Sequence, residues 1–191
     1  LMADAVDPFP NEPTQWSDSD GDGFGDNPNG FEADDCTEIN GTSWRDLFGC
    51  QDDDGDGQSN TNDAFANMAS QWLDFDSDGF GDNASGFQGD SCITEYGESR
   101  RGTVFGCVDT DYDGWADVID DFSNDSSQWL DSDGDGYGDE LNGNNGDSCK
   151  FTPGNSTLDR YGCIDEDGDG YSNKNDDLPQ NPTQNSDRDG D

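Results

Sequence analysis

Aspartates recur on alternate positions, and each run ends in glycine. One set is DSDGDGFGD (18–26), DFDSDGFGD (74–82) and DSDGDGYGD (131–139). The other is DDDGDGQSNTND (52–63), DTDYDGWADVID (109–120) and DEDGDGYSNKND (165–176). Both follow D-x-D-x-D-G-x-x-[DN], and the second set adds Asp at position 12. The carboxylates at positions 1, 3 and 5 are Asp18, Asp20 and Asp22; Asp52, Asp54 and Asp56; Asp74, Asp76 and Asp78; Asp109, Asp111 and Asp113; Asp131, Asp133 and Asp135; Asp165, Asp167 and Asp169. They can converge on one point if the chain then turns sharply. Glycine at position 6 permits that turn. The residue at position 7 (Phe24, Gln58, Phe80, Trp115, Tyr137, Tyr171) offers its backbone carbonyl. Six to eight oxygens at about 2.3–2.6 Å suit a hard cation such as Ca²⁺. Mg²⁺ prefers fewer carboxylates and more waters, and zinc wants nitrogen or sulfur. Six complete copies in fixed register argue against chance. A seventh starts at Asp187, Asp189 and Asp191.

Composition points the same way. The 191 residues carry 47 acidic and 7 basic side chains, a formal net charge of −40. Leu, Ile, Val and Phe together are about 14% of the chain, below the roughly 20% under which highly charged chains stay disordered. Hydrophobic burial cannot offset both the repulsion and an ordering entropy of about 1–2 kcal/mol per residue. The chain is therefore unfolded or folds around positive charge. One ion on each of seven loop starts would bring the charge to about −26, and two per loop to about −12, so one to two Ca²⁺ per acidic loop is expected. Scattered cations cannot make a basic face for nucleic acid or anionic membrane. No apolar run of about 20 residues exists to span a bilayer, and no signal peptide opens the chain. With no histidine, the usual triads and most zinc sites are absent.

The elements that position these residues repeat along the chain. Gln15-Trp16, Gln71-Trp72 and Gln128-Trp129 lie 56 and 57 residues apart, and Gln184 follows. PFPNEPTQ (8–15) returns as AFANMASQ, DFSNDSSQ and DLPQNPTQ. The segments are 16–71, 72–128 and 129–184, flanked by a partial one at 1–15 and the start of another at 185–191. Asp4 and Asp7 align with Asn60 and Asp63. Both ends fall inside the pattern, so a longer array is expected. Neither helical nor strand periodicity is sustained. The expected fold class is mostly irregular loop: a linear Ca²⁺-stabilised tandem repeat with little regular secondary structure.

EF-hands and dockerin loops share the second pattern, but they need flanking helices and, for the EF-hand, Glu at position 12. Here Asp63, Asp120 and Asp176 stand at position 12, followed by DAFAN, DDFSN and DDLPQ. What the chain resembles is the thrombospondin type 3 repeat of long prokaryotic surface arrays. The resemblance rests on DxDGDGxGD, GCxDxDGDGxxxxxD and the link DxFPxxPTQWxDxDGDG, and covers essentially the whole chain. It implies a Ca²⁺-wrapped string in which loops share ions and disulfides clip the string. Positions 1, 3, 5, 7 and 12 would hold one ion. Position 9 (Asp26, Asn60, Asp82, Asp117, Asp139, Asn173) would help with a neighbouring one.

Cys36 and Cys50, Cys92 and Cys107, and Cys149 and Cys163 recur once per segment. Local pairing is expected, in an oxidising compartment, and each bridge would be worth about 3 kcal/mol. An aligned aspartate (Asp34, Asp90, Asp147) precedes each first cysteine and is a further candidate ligand. The periodic aromatics are expected to form a small apolar cluster in each segment. Sequons at Asn40, Asn83, Asn124 and Asn155 allow N-glycosylation.

These readings converge on a non-enzymatic, extracellular or cell-surface structural array. No catalytic residue is assigned, and the expected partners are Ca²⁺ and further copies of the chain itself in a rod or fibre shaft. The alternative is an adhesin stalk, or a glycan- or protein-binding module presented by the cysteine loops.

Overall fold

The computed structural model describes residues 6–190, so Asp4 and Asp191 lie outside the described residues. Among the described residues there is no helix and no strand, only turns and bends, with one isolated bridge between Gly25 and Ala33. The expected irregular fold is what forms. Among the described residues no helix is long and apolar enough to cross a membrane. Contacts divide the chain into two compact units, Leu1–Tyr96 and Gly97–Asp191. That division falls inside the 72–128 segment.

Order comes from hydrogen bonds at fixed register. In all six loops the amide of position 9 donates to the carbonyl just before the loop: Asp26 to Ser17, Asn60 to Gln51, Asp82 to Leu73, Asp117 to Val108, Asp139 to Leu130 and Asn173 to Ile164, at 2.8–2.9 Å. This bond closes each ladder on itself. Position 6 takes φ between +92° and +101° in every loop, a region only glycine enters freely. Position 4 is also left-handed. Glycine fills it in most loops, but Ser77 (φ 66°) and Tyr112 (φ 65°) are forced into the same conformation.

The interior is polar. Buried apolar residues are few: Cys50, Phe80, Cys107, Ala116 and Cys163. The largest side chains with under 2% exposure are Gln71, Gln128 and Asp147, then serines. Each glutamine clamps a spacer in place. The Gln15 carbonyl accepts the Asn27 amide, and its Nε2 donates to the carbonyls of Asn27 and Phe31. Gln71 makes the same three bonds to Asn83 and Phe87, and Gln128 to Glu140 and Asn144. The glycines beside them have no room for a side chain: a Cβ on Gly138 would stand 2.0 Å from Gln128 Oε1.

Cys36 pairs with Cys50 and Cys149 with Cys163, each across 14 residues. Cys92 and Cys107 are disulfide-bonded too, and no cysteine is free. Inside the first and third bridged segments, the buried hydroxyls of Ser43 and Ser156 accept the amides of Cys50 and Cys163 and donate to the carbonyls of Leu47 and Arg160. Aromatic rings meet in pairs along the chain. Phe24 meets Phe48 at 5.8 Å, Tyr137 meets Tyr161 at 5.9 Å, and Trp115 stacks on Trp129 at 6.0 Å. The Arg45 guanidinium lies 5.1 Å from the Trp44 ring and 5.4 Å from Trp72.

Candidate metal centres

Each ladder folds around its first aspartate. One oxygen of Asp18 accepts the amide of Gly21 at 2.7 Å and the other that of Gly23 at 3.1 Å. Asp52, Asp74, Asp109, Asp131 and Asp165 hold positions 4 and 6 of their own loops in the same way. Asp187 accepts Gly190 likewise. At position 5, the Oδ1 of Asp22, Asp56, Asp78, Asp113, Asp135 and Asp169 takes the amide of position 7 at 2.8–3.0 Å. That bond turns the backbone of Phe24, Gln58, Phe80, Trp115, Tyr137 and Tyr171 around the ladder. The result is convergence. In the triads Asp18/Asp20/Asp22, Asp52/Asp54/Asp56, Asp74/Asp76/Asp78, Asp109/Asp111/Asp113 and Asp131/Asp133/Asp135, one oxygen per residue lies within 4.8 Å of the others.

A fourth carboxylate lies near enough to each triad for their charges to repel, and it comes by two routes. In the second-type loops it is position 12: Asp63, Asp120 and Asp176. In the first-type loops it is the aspartate before the cysteine: Asp34, Asp90 and Asp147. All six are held alike, Oδ1 accepting the amide two residues on, at 2.6–2.7 Å. Asp7 makes the same turn with Phe9. Five of the six have 9% exposure or less, Asp34 6%, Asp90 2%, Asp120 9%, Asp147 1% and Asp176 7%.

The second oxygens are left without donors. Among the described residues, Oδ2 of Asp34, Asp90, Asp120, Asp147 and Asp176 is buried with no hydrogen-bond partner. So is Oδ2 of the position-3 aspartate in every loop: Asp20, Asp54, Asp76, Asp111, Asp133 and Asp167. Buried carboxylate oxygens without donors are costly, and buried charges are paired or bind metal. The position-3 oxygen is orphaned in all six loops and the closing-aspartate oxygen in five, Asp63 being the exception; Oδ2 of Asp56 and Asp113 at position 5 joins them.

The electrostatics follow. Burial pushes the Asp34 carboxyl up to about 6, with further repulsion from Asp22, Asp20 and Asp26, while the Cys36 amide pulls the other way. Burial likewise raises Asp120 to about 6, with Asp113, Asp111 and Asp109 adding to it against the Phe122 amide. Asp63, Asp90 and Asp147 shift upward for the same first reason. Such shifts mark carboxylates that lack a counterion.

Position 9 sits differently from the ladder. Asp26 receives the amide and hydroxyl of Ser19 on its two oxygens, and Asp117 and Asp139 do the same with Thr110 and Ser132. Asn60, Asp82 and Asn173 brace the equivalent amides. Of the sequon asparagines, Asn83 donates its Nδ2 to the Ser70 carbonyl, Asn155 accepts the Asp165 amide, and Asn40 is exposed.

Two functional groups escaped the sequence reading. Asp46 and Asp159 are clamps outside the cages. Burial raises Asp46, but hydrogen bonds from the Ser59 hydroxyl and amide, the Leu47 amide and Asn62 outweigh it, leaving the carboxyl at about 2. Asp159 holds Ser172 and Asn175 in the same manner. The glutamine clamps are the other group. They were visible as register markers, and their recurrence beside paired glycines was the available signal.

No family model matches the chain, and no curated protein sequence matches it.

Proposed function

We propose that the chain is a Ca²⁺-folded structural array of the thrombospondin type 3 kind, working outside the cell as a stiffened rod or fibre shaft rather than as an enzyme. The supporting observation is the recurrence of buried, donorless carboxylate oxygens at position 3 and at the closing aspartate. Four carboxylates and a position-7 backbone carbonyl make an all-oxygen donor set, which fits Ca²⁺ better than Zn²⁺ or Mg²⁺. Asp18, Asp20, Asp22 and Asp34 would hold one ion, and Asp109, Asp111, Asp113 and Asp120 another. The ion supplies the positive charge that the −40 chain lacks. Disulfides on all six cysteines suit an oxidising compartment, where millimolar Ca²⁺ fills extracellular modules of Kd about 10⁻⁴–10⁻³ M.

The test is metal removal. With excess chelator, small-angle scattering and circular dichroism become those of an expanded coil, and restoring Ca²⁺ reverses the change. An unchanged profile overturns the reading. A second reading has one observation in its favour. The cysteine-bounded segments expose Ile39, Trp44 and Phe151 and carry five of the chain's seven cations, namely Arg45, Arg100, Arg101, Lys150 and Arg160. A glycan- or protein-binding role for those segments would show as a hit on a glycan array in Ca²⁺, where a pure spacer is silent.

A further inference from the structure

We propose that the Cys36–Cys50 and Cys149–Cys163 bridges are redox switches on the first-type cages alone. Closed, each holds a four-carboxylate cage together; reduced, it releases the fourth carboxylate while the twelve-residue cage that follows stays intact. The inference rests on the Ca²⁺ reading and concerns the regulation of those same sites.

The first-type cage is tied to the bridged segment at three points. The closing Asp34 and Asp147 lie two residues before Cys36 and Cys149, and their carboxylates accept those cysteines' own amides at 2.7 and 2.6 Å. From within the bridged segment, the amides of Gly41 and Gly154 donate to the free oxygens of Asp22 and Asp135 at 3.1 and 2.8 Å. At its far end, Gly49 and Gly162 sit so close that a Cβ would stand 2.4 and 2.3 Å from Oδ1 of Asp34 and Asp147. Asp34 and Asp147 are 6% and 1% exposed, each with a buried Oδ2 that has no donor among the described residues. Opening the bridge frees about 15 residues whose closure otherwise keeps these contacts in place. The second-type cage needs no such help. Asp52, Asp54, Asp56 and Asp63 lie within 12 consecutive residues. The bridged segment touches that loop through the Gly57 carbonyl, which accepts the amides of Trp44 and Arg45, through the Asp46 clamp on Ser59 and Asn62, and through the Thr42 hydroxyl, which donates to the Asp52 carbonyl at 3.4 Å; in the third segment Asn155 accepts the Asp165 amide. These contacts reach backbone and the loop's rim, and none supplies a cage carboxylate.

The two bridges differ. The Arg160 guanidinium lies 3.5 Å from the Cys149 sulfur and also donates to the Ser148 carbonyl. The aligned residue beside the first bridge is Leu47. A cation beside sulfur stabilises the leaving thiolate, so Cys149–Cys163 opens first. Reduction by a dithiol delivers two electrons and two protons per bridge. The S–S bond breaks, two S–H bonds form, and the dithiol closes to a cyclic disulfide.

The experiment titrates Ca²⁺ into the ¹⁵N-glycine-labelled full chain and follows the amides of Gly23 and Gly136 (first type) and Gly57 and Gly170 (second type). In the Cys36→Ser/Cys50→Ser variant the Gly23 midpoint moves to Ca²⁺ about tenfold higher or more. Gly57, Gly136 and Gly170 stay within about twofold, the intact Cys149–Cys163 bridge serving as internal control. A common shift of all four, or a fixed Gly23, overturns the switch. Silence of all four glycines in the oxidised chain instead refutes the Ca²⁺ reading beneath it. As a second measurement, mass spectrometry of alkylated thiols during dithiol reduction finds Cys149–Cys163 opening before Cys36–Cys50, and Arg160→Leu removes that lead. Equal rates in the parent chain overturn the assigned order.

Discussion

The two loop types build one cage along different lengths of chain. In the second type the closing carboxylate comes at position 12, and the ladder needs only its own turns. In the first type it arrives 16 residues after the first aspartate, as from Asp18 to Asp34. The intervening stretch must be folded before the cage exists. Gln15, Gln71 and Gln128 do that folding, each fixing the spacer by three hydrogen bonds. A longer loop costs only slightly more closure entropy, which grows as the logarithm of its length. The added cost lies in polar groups that must be satisfied without water. A buried glutamine meets it with one side chain. Cage geometry is therefore separable from chain length, provided a clamp accompanies the longer route.

The comparison breaks most sharply at the closing carboxylates. Asp147→Ala and Asp120→Ala should each weaken Ca²⁺ binding in their own cage on the order of a thousandfold, seen by calorimetric titration as the loss of one class of site. If one loop type tolerates the change, the two closures are not equivalent. Next, Gln128→Ala should lower the stability of the Ca²⁺-loaded chain by about 3 kcal/mol in chemical denaturation, and weaken the 131–147 cage while the 165–176 cage keeps its affinity. Equal damage to both would make the clamp a general scaffold element.

Acidity gives a smaller effect, seen at one cage of each type. Asp34 and Asp120 sit at about 6 without an ion, above their unfolded values. Their protonated forms favour the ion-free fold, a contribution present at low pH and lost as pH rises through about 6. Ca²⁺ must displace those protons, so lowering the pH from 7.5 to 5 should raise its Kd about tenfold at the Asp34 and Asp120 cages, with proton release detectable in weakly buffered titrations. A pH-independent Kd would remove the closing aspartates from the ligand set. Smallest are the left-handed side chains. Ser77→Gly and Tyr112→Gly should each stabilise the loaded chain by about 1 kcal/mol in thermal melts, one in each loop type, since both relieve the same strain at position 4.

The ladders and their closing aspartates were legible because alternation followed by glycine states the geometry directly. Irregular backbone was legible from a composition too polar for a core. Other features were hidden in chemistry that spacing does not display. Asp46 resembles any other acid in an acidic chain, and only the fold brings it to Ser59. In the middle segment the aligned pair is Gly102 and Ala116. There Trp115 packs over Gly102 and stacks on Trp129, so one joint is made by hydrogen bonds in two segments and by rings in the other. The serines Ser43, Ser99 and Ser156 and the glutamines before Trp16, Trp72 and Trp129 recur as strictly as the aspartates. Their spacing names no ligand, so it reads as register until the buried bonds are seen.

The locality of the closing bonds has a consequence for biogenesis. The spacer clamps reach no more than 17 residues, and the bonds from Gly41 and Gly154 reach 19. A polypeptide threading through a narrow pore can complete one cage before the next has emerged. If the cages take Ca²⁺ as proposed, each captured ion makes backsliding unfavourable, so an outward cation gradient alone would ratchet the strand forward.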